Sequence, residues 1–62
     1  MAISAEEIFR TTTLTREESR EVAEAVDGDW RLEFFAWALI NAGFYTSREI
    51  ADRLGALKVM LK

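Results

Sequence analysis

Residues 46–55 read TSREIADRLG, and the path of the chain after Gly55 decides between two ways of building an all-α protein. Thr46 and Glu49 stand three positions apart. In that spacing the threonine oxygen takes the N3 backbone N–H while the glutamate returns to the cap's own N–H, so a helix starts at residue 47. If this helix runs straight through Gly55, then Ile50, Leu54, Leu57 and Leu61 recur at i, i+4, i+7 and i+11. They form a stripe only about 60° wide. A glycine in a helix interior costs about 1 kcal/mol relative to alanine, whereas burying one leucine is worth roughly 1.5–3 kcal/mol. The balance predicts a continuous or gently bent helix wherever a surface exists to receive that stripe. The other path is a turn at Gly55, with residues 56–61 as a separate helical piece.

The same capping signature occurs twice upstream, at Ser4/Glu7 and Thr15/Glu18, and marks two further helix starts. A fourth start falls at Asp29 in VDGD, where Gly28 breaks the preceding helix and an acid sits at the positive end of the next. These signals predict helices over 5–11, 16–26, 30–42 and 47–54, joined by short loops. In NAGF, residues 41–44, Gly43 is suited to the left-handed position that stops a helix, with Phe44 folding back on the last turn. The chain contains no proline. The expected fold is a compact all-α bundle of four or five short helices in one domain spanning residues 1–62, with 30–42 at its centre.

The predicted second helix sets Val22, Ala23 and Val26 on one face and Glu17, Glu21 and Glu24 largely elsewhere. Its segment SREVAEAV, residues 19–26, matches SREIADRL, residues 47–54, a similarity that amphipathic helices rich in Ala and Glu reach without duplication. The third helix differs. Leu32, Phe35, Ala36, Leu39 and Ile40 form one apolar stripe, and Trp30, Phe34 and Trp37 form a second beside it. A helix apolar around most of its circumference is either central or turns one face to a partner.

The stretch SREIADRLGALKVMLK, residues 47–62, resembles the first half of helix-turn-helix regulators. Ile50, Ala51, Leu54 and Gly55 match the positions at which the two helices of that motif cross, and Leu61 matches an apolar return to the core. The resemblance implies a DNA-binding regulator in which Arg48, Arg53, Lys58 and Lys62 contact phosphates. It covers scaffold positions only. Where base-reading side chains are needed, this chain offers Leu57, Lys58 and Val59, then ends at Lys62 before a recognition helix reaches its usual length.

Charge and composition narrow the remaining classes. The net charge of −3 divides into nine acids against four bases over residues 1–33, and two acids against four bases over residues 34–62. An acidic whole repels the phosphate backbone, so nucleic acid is the less favoured partner. Cysteine and histidine are both absent, which removes thiolate and imidazole metal ligands and an imidazole base. DGDWRLE, residues 27–33, shares acids with a calcium loop but lacks the third ligand and has glycine at the wrong position. No phosphate-binding glycine loop or activated nucleophile is present, so neither a cofactor nor catalysis is expected. The N-terminus has acids where a secretory signal needs bases, and the run from Trp30 to Tyr45 is too short and too charged to span a bilayer. The expected location is the cytoplasm.

The function these features favour is non-enzymatic: a small regulatory or inhibitory protein that binds another protein. The candidate interface residues are Trp30, Phe34 and Trp37, with Val59 and Met60 on the C-terminal helix. A homodimer closing over the same surface is compatible, and a two-fold contact is the commonest solution. The minimal helix-turn-helix regulator is the alternative.

Overall fold

Side-chain caps begin each helix of the protein. The structure, a computed structural model, describes residues 3–61. Within them lie α1 (Ala5–Thr11), α2 (Arg16–Val26), α3 (Trp30–Ala42) and α4 (Ser47–Met60). Thr15 and Thr46 form complete capping boxes with Glu18 and Glu49. The N–H of Thr46 donates to the Glu49 carboxylate at 2.9 Å. Together with the bond from the Thr46 side chain, this holds the Glu49 carboxyl below its ordinary range. The third expected box is half made: the Glu7 N–H donates to the Ser4 hydroxyl at 3.1 Å, but only Ser4 caps. Asp29 caps α3 as expected, accepting from the Arg31 N–H at 2.9 Å.

Two of the three connections use left-handed backbone. Gly43 adopts φ 84° directly after α3, where a side chain would strain the turn. Phe44 departs from expectation. It does not fold back on the helix but stands 74% exposed, its ring 4.5 Å from that of Tyr45. After α2 the left-handed turn begins at Asp27 (φ 52°), one residue before the glycine expected to break the helix. Aspartate is among the few non-glycine residues that visit this region routinely. Its carboxylate also accepts from Lys58 Nζ at 2.7 Å, tying the turn to α4.

The core is made by Ile3, Ile8, Val22, Val26, Leu32, Ala36, Ile50 and Leu54, all buried. The short loops over 12–15, 27–29 and 43–46 force successive helices to lie side by side. One further packing, α2 against α4, closes the bundle. As a result α2 touches α1, α3 and α4, while α1 rests on α2 alone among the helices. The centre is therefore α2, not α3 as its apolar content suggests. A helix with three neighbours buries its whole narrow stripe. A helix with two leaves part of its circumference open.

The α2–α4 packing also explains the matched octapeptides. Each helix buries the same three positions of the pattern: Ser19, Val22 and Val26 on α2, and Ser47, Ile50 and Leu54 on α4. The small serines let the two backbones come close. The Ser47 hydroxyl donates to the Glu21 carboxylate at 2.9 Å. The Ser19 hydroxyl, fully buried, makes no hydrogen bond among the described residues.

Helix α4 runs through Gly55 without a break, and its stripe behaves as its spacing predicts. Ile50 and Leu54 are buried, while Leu57 and Leu61 pack on the core at its edge. The space around Gly55 is open: a Cβ there would meet nothing within 4 Å. Gly55→Ala is therefore expected to stabilise the protein by about 1 kcal/mol and raise Tm by about 4–8 °C. A fall in Tm on thermal melting would instead require a left-handed residue, and hence a turn, at position 55.

Candidate protein-binding face

The open side of α3 gathers three of the exposed large hydrophobic side chains, Trp30, Phe34 and Phe35. Leu32 and Ala36 point this helix at the core. With about 100° between successive residues, and with Trp37, Leu39 and Ile40 also packed on the core, the remaining arc carries Trp30, Phe34, Phe35, Ala38, Asn41 and Ala42. All six are exposed. Trp30 and Phe34 leave 72% and 70% of their surface in solvent, and Phe35 leaves 37%. The Phe34 and Phe35 rings meet edge to face at 5.9 Å, which fixes their relative orientation.

One charged residue falls within this arc, and it is already engaged. The Arg31 guanidinium donates to both carboxylate oxygens of Asp29, at 3.2 and 3.1 Å, and to the Leu61 carbonyl at 3.5 Å. These bonds from Arg31 hold the Asp29 carboxyl below its ordinary range, and the aspartate raises the guanidinium in turn. The pair joins the start of α3 to the end of α4 and leaves the aromatic face without a free charge. Solvated helices ordinarily carry charges on the face that this one fills with aromatics and alanines.

Beside this face, α3 and α4 enclose an open groove of about 310 Å³ lined by Phe35, Ala38, Leu39, Arg53, Ala56 and Leu57. Its polar rim is Arg53, whose guanidinium lies 4.7 Å over the Tyr45 ring. Met60 lies one turn beyond Ala56 on the same side of α4 and is exposed. Val59, also exposed, is rotated about 100° from Met60 and belongs to another side of the helix.

The five anticipated interface residues thus separate. Trp30 and Phe34 lie together on the open face, and Met60 lies exposed one turn beyond the groove residue Ala56. Trp37 is half-buried and packs on the core. The stripe divides because it straddles the boundary between the covered and uncovered sides of α3. Phe35, from the stripe of Leu32 and Ala36, and Phe44, expected against the helix end, join the exposed set.

The basic residues do not gather. Arg48, Arg53 and Lys58 project from α4 in directions at least about 80° apart. Lys58 is bonded to Asp27 and Arg53 lies on Tyr45. Lys62 lies outside the described residues. The acids of α2 form an open, shallow surface instead, with Glu17, Glu18, Glu21 and Glu24 around Thr15 and Arg20. Among the described residues no three acidic side chains converge on a point that could hold a metal ion. No helix of the described residues is long and apolar enough to cross a membrane.

Compared with protein-family models, with curated proteins and with solved structures, the chain matches none.

Proposed function

We propose that this is a small, non-enzymatic, cytoplasmic regulatory or inhibitory protein that acts by binding another protein through the open face of α3. The observation that carries the reading is the exposure of Trp30 and Phe34 on a helix face with no free charge. Tryptophan and other aromatics dominate binding hot spots, because they bury large rigid surfaces at low entropic cost. Exposed aromatics on one uncharged face cost solubility unless something covers them. The groove between α3 and α4 adds depth beside the flat face, and Arg53 supplies a polar edge for orientation.

The test pairs the immobilised wild-type chain with a W30A/F34A variant in extract of the source cell. Both positions are exposed, so the variant is expected to melt within a few degrees of wild type. Proteins retained by the wild type should be lost from the variant, since hot-spot truncations each cost about 2 kcal/mol or more. Retention of the same proteins by both baits would remove this face as the site. A nucleic-acid reading makes the opposite demand, namely duplex affinity that falls steeply with salt.

A further inference from the structure

We propose that, until a partner protein displaces it, the α3 face is covered by a second copy of this chain, packed across a two-fold axis with the two α3 helices antiparallel. The inference rests on the reading of that face as an interface and names what fills it.

The exposed ridge of α3 is graded in size. At intervals of four residues it carries Trp30, Phe34, Ala38 and Ala42, all exposed: two large side chains at the N-terminal end and two small ones at the C-terminal end. Ridges spaced by four residues are the rows that interdigitate when helices pack on one another. A two-fold axis through the middle of this ridge reverses one copy against the other. Phe34 then lies beside Ala38 of the second copy, and Trp30 beside Ala42. Each large side chain meets a small one, and the pairing occurs twice by symmetry. A parallel arrangement would set aromatic on aromatic at one end and leave a gap at the other.

Electrostatics and area agree with this pairing. The ridge itself has no charged side chain, and of the two charges that flank it, Arg31 is held by Asp29 and Glu33 lies on the flank toward Trp37. Antiparallel helices also align their macrodipoles favourably. Trp30, Phe34 and Phe35 together expose on the order of 400 Å² per copy. With the alanines and the adjoining groove, the two copies cover about 1,000–1,200 Å², which sits at the lower limit for a specific interface. The expected complex is a dimer that dissociates in the micromolar range, not an obligate one.

Sedimentation of the whole chain over about 1 μM to 1 mM tests this, with a swap of the paired residues. The wild type should rise from its monomer mass of 7.1 kDa toward twice that value. Phe34→Ala removes the large partner, and Ala38→Phe sets phenylalanine against phenylalanine, so each should weaken association by about tenfold or more. The double variant F34A/A38F restores one large and one small residue at each contact and should associate within about threefold of wild type. The pair W30A and A42W gives the same test should either first-pair variant melt early. A wild type that stays at the monomer mass to the highest concentration overturns the proposal, and so do double variants no better than their singles. A monomeric wild type whose captured protein is still lost with W30A/F34A removes the second copy while the interface reading stands. A monomer whose capture is indifferent to W30A/F34A removes both.

Discussion

Leu54→Ala lowers stability by about 3–5 kcal/mol and moves the thermal transition far below that of the wild type. Leu54 is fully buried on α4, the helix whose packing on α2 closes the bundle. Truncating such a leucine removes its transfer free energy and leaves a cavity, and the two together cost about 2–5 kcal/mol. The upper part of that range applies because α2 is held from three sides and cannot move into the void without losing α1 or α3. A domain of this length has a total stability of roughly 3–9 kcal/mol at typical values per residue. One substitution therefore removes a large share of that margin. Circular dichroism should show the thermal transition moved far down in temperature, and Leu57→Ala, at the edge of the same stripe, should lose only about 1 kcal/mol. If Leu54→Ala and Leu57→Ala proved equally mild, α4 would not be packed along this stripe.

The helices were legible because their starts are written locally. Thr15/Glu18, Thr46/Glu49 and Asp29 each satisfy backbone groups within a single turn, and all three cap as their spacing predicts. The continuity of α4 was legible from energetics, since the gain from placing Leu57 and Leu61 on the core exceeds the cost of one interior glycine. What local signals do not contain is which helix the others surround. That depends on the α2–α4 closure, a contact between segments far apart in sequence, and it moves the centre of the bundle from α3 to α2.

The site was legible in part for the same reason. Composition announces that α3 holds more aromatic surface than a short chain covers, and periodicity groups it into two stripes. Neither says where the covered arc ends. Leu32 and Ala36, with Leu39 and Ile40 packed beside them, fix that arc in the folded protein, and its boundary runs between Trp37 and its stripe partners Trp30 and Phe34. Phe35 shares a stripe with Leu32 and Ala36 by spacing, yet unlike them it is exposed and lines the groove between α3 and α4. The scattered directions of Arg48, Arg53 and Lys58 follow from their positions on α4 and could have been read from spacing alone.

Trp37→Ala and Trp30→Ala are consequently expected to part company. Trp37 packs on the core from the edge of the covered arc, so its truncation should cost about 2–3 kcal/mol of stability, somewhat less than a fully buried aromatic. Trp30 is 72% exposed, and its truncation should change the folding free energy by no more than about 0.5 kcal/mol. The order reverses for association, where Trp30 lies on the face proposed to meet a partner and Trp37 packs on the core behind it. Thermal melts of the two variants measure the first quantity, and sedimentation or capture measures the second. The fluorescence of each single-tryptophan protein supplies an independent check. Emission from Trp30 should be solvent-like and shift to shorter wavelength as concentration rises, while emission from Trp37 should stay blue-shifted until the protein unfolds. A Trp30 that melts the fold as severely as Trp37 would mean that the open face of α3 is covered from within the chain, and the interface reading would fall with it.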